Sequence, residues 1–119
     1  MSYLPEQPYM EIRWFYRLWT FLKSLVKPTS KTAAYTVDAT TFFVACNVTG
    51  GGFTVTLPAA ADNEGRQICV KKTDASGNTL TVGRTGSDLI DGATTVTTTT
   101  QYKTWVFLSD GTTNWFVIN

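Results

Sequence analysis

The sequence predicts a mainly β protein in which an N-terminal amphipathic α-helix precedes an antiparallel β-sandwich or small barrel. Two observations predict this fold class. Apolar residues recur with a period of about 3.6 between Tyr9 and Lys27, as they do on one face of a helix. After residue 33 they recur with a period of two, in short segments rich in Thr, Val and aromatic residues. The 119 residues therefore divide into a helix over 1–27, a linker over 28–33 and a β-domain over 34–119.

The helical segment carries an apolar face that covers about half of its circumference. Pro8 suits a first turn and Pro28 ends the helix, which at about 1.5 Å per residue is about 28 Å long. A narrow basic stripe lies opposite the apolar face and contains Arg13, Arg17, Lys23 and Lys27. The apolar face forms two adjacent seams, which consist of Ile12, Phe15, Trp19, Leu22 and Val26 and of Trp14, Leu18, Phe21 and Leu25.

The β-domain is predicted to be a series of short strands separated by turn signals. The signals are Gly50-Gly51-Gly52, the stretch 75–78, Asp91-Gly92 and Asp110-Gly111, which are typical of hairpins. The polar stretch that precedes the domain, Pro28 to Thr32, is typical of a linker. The predicted strands cover residues 34–37, 41–48, 53–57, 66–73, 79–82, 94–99, 104–109 and 114–118.

Charge is unevenly distributed between these parts. Residues 1–32 hold five basic and two acidic residues, a net charge of +3, whereas the remainder holds five basic and seven acidic residues, a net charge of −2. Neither value approaches the dense basic surface of a nucleic-acid-binding protein, so no nucleic-acid partner is expected. Charged residues also interrupt the N-terminus where a secretory leader would be apolar, which predicts synthesis in a cytoplasm.

The residues that most often carry chemistry are sparse in this chain. It contains no His, the commonest general base and metal ligand. Strand alternation places Cys46 in the core and turns Cys69 outward with Gln67 and Lys71, so we expect two reduced thiols and no metal cluster. The carboxylates of the β-domain fall in predicted turns, where Asp binds the local backbone. We therefore expect neither an enzyme nor a cofactor.

Trp105 and Trp115 are the candidates for contact at an outer surface. An exposed indole can stack on a sugar ring, which would suit a glycan receptor. Aromatic residues beside a hairpin turn also serve as part of the core, and the pattern does not decide between these two roles.

Several stretches occur in order along the β-domain: TVTLPAAA at 54–61, GRQI at 65–68, VKKTDASGNTLTV at 70–82, IDG at 90–92 and LSDGTTNWFVI at 108–118. Together they resemble a β-rich domain of tailed-bacteriophage virion proteins, over about residues 35 to 119. The resemblance implies a trimeric, non-enzymatic module of capsid decoration or cement proteins, tail fibres and spikes. The N-terminal helix lies outside it.

The apolar face of the helix needs a cover. Burial of a large apolar side chain is worth about 1.5–3 kcal/mol, so an uncovered face would forgo more than about 10 kcal/mol, as much as a typical domain's stability. The cover is the protein's own sheet, other copies of the chain together with another protein, or a membrane surface. We prefer other copies, three in number, together with a larger partner protein, and we rank the membrane lowest.

These expectations combine into a homotrimeric capsid cement protein. It would dock on the phage major capsid protein at the outer surface of the virion and would be made in the host cytoplasm. A chain of 119 residues leaves no room for a fibrous shaft, which favours the capsid over a long fibre. A short tail-fibre, tail or baseplate component with a glycan-binding β-domain is the alternative, followed by a membrane-surface protein.

Overall fold

The computed structural model describes residues 8–25 and 27–119. One helix is followed by ten strands in this part of the chain, which confirms the mainly β class with an N-terminal helix. A short 3-10 helix, Ala60–Asp62, lies between the fourth and fifth strands. The elements are α1 Pro8–Leu25, β1 Pro28–Lys31, β2 Tyr35–Thr36, β3 Phe43–Cys46, β4 Phe53–Thr56, β5 Gln67–Lys72, β6 Leu80–Gly83, β7 Leu89–Ile90, β8 Thr95–Thr98, β9 Thr104–Ser109 and β10 Asn114–Val117.

The strands form a six-stranded sheet A, in the order β1-β3-β5-β9-β10-β7, and a four-stranded sheet B, in the order β2-β4-β6-β8. Up to β6 the chain alternates between the sheets, so that β1, β3 and β5 are parallel neighbours, as are β2, β4 and β6. The later strands β8 and β9 then join β6 and β5 in antiparallel pairs, and β10 joins β9 in the same way. Over the described residues neither sheet closes into a barrel.

The prediction of an antiparallel domain is therefore wrong for the first six strands. The turn signals at Gly50-Gly51-Gly52 and at 75–78 lie at corners where the chain crosses from sheet A to sheet B, not in hairpins. Asp110-Gly111 does join two neighbours of one sheet, β9 and β10. A turn signal marks a reversal of the chain and leaves open which sheet the next strand enters.

The predicted linker is also partly wrong, because Pro28–Lys31 forms β1 at the edge of sheet A. Pro28 is the first residue of this edge strand, a position that needs no backbone donor. The strand lacks apolar residues, and its half-buried positions are Thr29 and Lys31. The sequence of β1 therefore shows no alternation of apolar and polar residues. The strand β7, with two residues, is too short to show one.

The core lies between the two sheets and takes side chains from both. Val44, Val70 and Phe107 come from sheet A, and Val55 and Val82 come from sheet B, all of them fully buried. Alternation along β4 and β5 thus confirms the predicted buried faces. Both sheets contribute to one hydrophobic cluster, which marks the β-domain as a single cooperative unit.

A buried lysine ties the corner between β5 and β6. Lys72 is fully buried, and its Nζ donates to the carbonyl oxygens of Asp74 at 2.9 Å and Ser76 at 2.7 Å and to Asp74 Oδ2 at 3.2 Å. An ammonium has three protons, so each of them has an acceptor. This arrangement lets a charged side chain lie in the core without an unsatisfied donor.

The same corner is tied to the preceding one between β3 and β4. Asp74 Oδ1 accepts a hydrogen bond from the Val48 backbone N–H at 2.8 Å, and Asn78 Nδ2 donates to the Val48 carbonyl oxygen at 2.8 Å. Gly52 completes the contact, because a Cβ at that position would lie 2.5 Å from the Thr79 carbonyl oxygen. Successive corners therefore stack through polar bonds that satisfy buried backbone groups.

The corners at the opposite end of the strands are tied in a similar way. Asp88 Oδ2 accepts from the Ala60 N–H at 2.8 Å, and Thr85 Oγ1 donates to the Leu57 carbonyl oxygen at 2.6 Å. Arg66 Nη2 donates to the Thr41 carbonyl oxygen at 2.6 Å, across 25 residues of chain. Both ends of the domain are thus closed by side-chain bonds between crossings that are remote in sequence.

Lys72→Met is expected to lower the free energy of unfolding by about 2–4 kcal/mol, because it leaves the carbonyl oxygens of Asp74 and Ser76 without this donor and removes the charge that pairs with Asp74. Lys71→Met is the matched control, since the neighbouring half-exposed Lys71 lies on the other face of β5 and should cost no more than about 1 kcal/mol. Urea denaturation followed by tryptophan fluorescence measures both. Equal losses in the two variants would contradict the role given to Lys72.

Candidate assembly surfaces

Helix α1 leaves its apolar face uncovered. Every described side chain from Ile12 to Leu22 is exposed, with exposed fractions of 64% for Trp14, 57% for Trp19 and 36% for Leu18. A large indole that is more than half exposed has no core to stabilise it. The helix therefore does not use its own sheets as a cover in this structure.

The structure keeps the predicted set of docking residues together on one helix. Leu25 ends α1, but its side chain, like that of Lys23, is outside the described part, and Val26 lies outside the described residues. Of the basic stripe, Arg13 and Arg17 are exposed on the helix, and Lys27 is exposed directly before β1. The exposed apolar residues are Ile12, Trp14, Phe15, Leu18, Trp19, Phe21 and Leu22.

The outer face of sheet B consists of threonines around one glycine. Strand register sets Thr54 beside Thr81 and Thr81 beside Thr97, and it sets Thr56 beside Gly83 and Gly83 beside Thr95. Threonine suits a solvent-facing strand because its β-branched side chain favours extended backbone and its hydroxyl stays hydrated. One face of β4 therefore shows the hydroxyl groups of Thr54 and Thr56.

The outer face of sheet A has the opposite character and was not predicted from the sequence. Here the register places Phe43 beside Cys69 and Cys69 beside Val106, with Leu108 beside Phe116. Phe116 is 43% exposed. The sequence does contain a sign of this face. The stretches WVFL in β9 and WFVI at β10 place apolar residues on both faces of the strand, as in a strand that is buried on both sides.

Cys69 illustrates the effect of this apolar face. Alternation correctly assigns the residue to the outer face, but the predicted exposure is wrong, since only 9% of the residue is accessible. Burial raises the pKa of the Cys69 thiol, with Lys71 acting in the opposite direction, and burial raises the pKa of Cys46 to about 12. Both cysteines are free, as predicted, and both thiols are protonated at neutral pH.

Trp105 and Trp115 do not form an outer-surface contact, which corrects the prediction for these two residues. Trp115 is fully buried and its Nε1 donates to the Pro58 carbonyl oxygen at 3.0 Å, while Trp105 is 5% exposed. Both belong to the core-facing positions of their strands, opposite Ser109 and Val70. They act as part of the core, and neither offers a ring face to a sugar.

Five of the seven carboxylates of the β-domain, those of Asp38, Asp74, Asp88, Asp91 and Asp110, accept hydrogen bonds from backbone N–H groups. Asp38 Oδ1 accepts from the Thr40 N–H at 2.9 Å and from the Thr41 hydroxyl at 2.8 Å, and these bonds lower the pKa of Asp38 to about 2. Asp110 Oδ1 accepts from the Thr112 N–H at 2.8 Å. Hydrogen bonds from Asn114 and Thr112 hold the pKa of Asp110 far below its usual value.

Asp74 combines burial with several donors. Burial alone would raise the pKa of Asp74, but hydrogen bonds from Ser76, Val48 and Lys72 outweigh it and hold the pKa far below the usual value. The Ser76 hydroxyl and the Val48 N–H both donate to this carboxylate. Its role is to shape the corner, and a carboxylate so firmly ionised is a poor general acid.

A shallow groove of about 470 Å³ lies beside the start of β5. Arg66 forms part of its lining, but its guanidinium is already bonded to the Thr41 carbonyl oxygen and to Asn63 Oδ1 at 3.0 Å. Burial lowers the pKa of Arg66. The guanidinium of Arg66 therefore stabilises the segment between β2 and β3.

The described residues form neither a metal-binding cluster nor a membrane-spanning helix. Across residues 8–25 and 27–119, His, Cys, Asp and Glu form no group of three or more that could hold a metal ion. In the same part of the chain no helix combines the length and the apolar character that a membrane span requires.

Comparison with known proteins gives no match that could indicate a function. No family model matches the chain, and no curated protein is similar to it.

The lowered pKa of Asp38 predicts an acid-dependent stability. An ionised carboxylate with a folded-state pKa of about 2, below the ordinary 3.8, contributes stability above the ordinary value that is lost as the pH falls to about 2. Asp38→Asn should therefore be less stable than the wild type at pH 7, and the difference should shrink as the pH approaches 2. Urea denaturation at a series of pH values measures this difference. A difference that stays the same at every pH would contradict it.

Proposed function

We propose that this protein is a non-enzymatic structural component of a bacteriophage virion, a capsid cement or decoration protein that assembles as a homotrimer and docks through α1. The observation that carries the proposal is the exposed, half-apolar helix beside a β-domain with a complete core. In this proposal the β-domain is a two-sheet sandwich that projects from the particle and the helix is its anchor. The partner is the major capsid protein.

The first support is energetic. Side chains such as Trp14, Phe15 and Trp19 each contribute about 1.5–3 kcal/mol when buried, and none of them is buried within its own chain. A surface of this kind marks a protein or membrane contact. Assembly supplies the missing cover without any change in the β-domain.

The second support is the chemistry of the β-domain. Its carboxylates bind backbone groups at corners and its thiols are protonated, which suits a durable scaffold. The resemblance of residues 35 to 119 to β-rich domains of tailed-phage virion proteins then supplies the setting. Trimeric assembly comes from this resemblance, which covers capsid decoration and cement proteins, tail fibres and spikes alike.

A membrane-surface role is the second candidate, because Arg17 and Lys27 are exposed on or beside a tryptophan-rich helix. Co-sedimentation with vesicles of phosphatidylcholine and phosphatidylglycerol at physiological salt distinguishes the two. The cement-protein proposal expects the protein to stay in the supernatant. Vesicle binding through the helix would favour the membrane role.

Substitution of Trp14, Leu18 and Trp19 by Ser in the full chain is expected to convert an oligomer into a monomer. The matched control replaces Tyr16, Arg17 and Thr20 by Ser on the polar side of the same helix, and it should leave the oligomer intact. Sedimentation velocity measures the mass, and far-UV circular dichroism verifies that the β-domain is still folded. A wild-type chain that is monomeric at all concentrations would refute self-association.

Electron microscopy of particles from the culture that produces the chain tests the location. Gold-labelled antibodies against the β-domain should decorate the whole head surface, because a cement protein repeats on the capsid lattice. Label confined to the tail or baseplate would favour the tail-component alternative, and unlabelled particles would refute the virion assignment.

A further inference from the structure

Two exposed apolar surfaces occur among residues 8–25 and 27–119, and the sequence predicted the first of them. The first is the apolar face of α1. The second, here called the sheet A patch, is the outer face of sheet A and comprises Phe43, Cys69, Val106, Leu108, Phe116 and Ile118. The backbone bond from the Ile118 N–H to the Val106 carbonyl oxygen, at 2.9 Å, continues the ladder and sets Ile118 on the same face. Ile118 is 48% exposed and Phe116 is 43% exposed.

From these surfaces we infer that α1 of one copy docks on the sheet A patch of the next copy, so that the copies close into a ring. The inference rests on the self-association in the proposed function and names the surface that receives the helix. Each copy would give one helix and receive one helix. Such a head-to-tail contact closes into a ring when the rotation between copies allows it, and a trimer is one such ring.

The helix is long enough to cover the patch. A helix of 18 residues is about 27 Å long. The patch lies on β3, β5, β9 and β10, which at about 4.8 Å between neighbours span about 14 Å from the first to the last. A helix that lies across the strands therefore covers the full width of the patch. Helices pack on sheet faces of this kind in two-layer architectures.

Charge also favours a second copy of this chain as the occupant. Helix α1 contains Arg13, Arg17 and Lys23 against Glu11, a net charge of +2, whereas residues 33–119 carry a net charge of −2. The exposed acidic residues Asp62 and Glu64 precede β5, and Asp110 follows β9, which is antiparallel to β5. These three therefore lie at the strand end that borders Phe43 and Leu108. A basic helix at this end meets an acidic rim, which supports association between oppositely charged parts of identical chains.

Chain connection places the helix close to this end of its own sheet. Strand β1 begins at Pro28, opposite Phe43, and Lys27 directly precedes it. In this structure the described apolar side chains of the helix are exposed, and so are Phe116 and Ile118 of the patch. In a ring, one apolar seam of each helix would cover the patch of a neighbouring copy, and the second seam would stay available for the capsid.

The test is complementation between two defective full-length chains. One carries Trp14→Ser, Leu18→Ser and Trp19→Ser, which disable the helix, and the other carries Phe116→Asp and Ile118→Asp, which disable the sheet A patch. Each variant alone should associate about tenfold or more weakly than the wild type. A mixture should form a 1:1 heterodimer, because the first chain still offers its patch and the second still offers its helix.

The matched control for the patch is Thr95→Asp with Thr97→Asp, which places two charges on the exposed outer face of sheet B and should leave association unchanged. Sedimentation velocity measures all the mixtures. Wild-type oligomers together with a mixture that stays monomeric would overturn this inference and leave self-association through helix seams in place. A monomeric wild type would overturn both this inference and the proposed self-association. Unchanged association in the Phe116/Ile118 variant would also overturn the inference.

Discussion

The structure of the β-domain depends on how the chain satisfies its backbone at the corners between two sheets. Each crossing takes N–H and C=O groups out of the ladders, and a buried group without a partner costs about 1–3 kcal/mol. Lys72 and Asp74 solve this at one corner by binding each other, Ser76 and Val48. Asp88 and Arg66 do the same at the opposite end. The parallel coil of β1 to β6 is possible because these bonds hold successive crossings in register.

A domain closed in this way has a core of its own. The core cluster draws on both sheets, and none of the described side chains of α1, from Ile12 to Leu22, belongs to it. Exposed side chains such as Trp14 and Trp19 can therefore make contacts outside the chain. The outer faces of the two sheets differ in polarity. The outer face of sheet B presents threonines, whereas the sheet A patch presents apolar side chains.

Much of the secondary structure was predictable from local pattern. The helix, its apolar face and the strands that carry β-branched alternation were found, since each leaves a period in the sequence. Strands β1 and β7 were missed because neither shows a periodic pattern. The sequence of β1 is PTSK, which has no alternating apolar residues, and β7 has only two residues. The docking residues on α1 were likewise visible, and they stay a prediction. Trp105 and Trp115 were left open because a strand pattern does not state which of its faces will be covered.

The sequence by itself determined a half-apolar helix, a set of β-strands with one buried face and a chain without His. These follow from side-chain chemistry and spacing, which act over a few residues. Only the tertiary structure decided that the strands coil in parallel between two sheets, that Lys72 lies in the core and that sheet A presents an apolar outer face. The physical reason is that parallel pairing joins residues 15 to 27 positions apart, beyond the reach of a local pattern. The corners between the sheets are likewise tied by bonds between residues remote in sequence, such as Arg66 to Thr41 and Asp74 to Val48. Lys72 binds its near neighbours Asp74 and Ser76, but it is buried only because this corner packs against the rest of the domain.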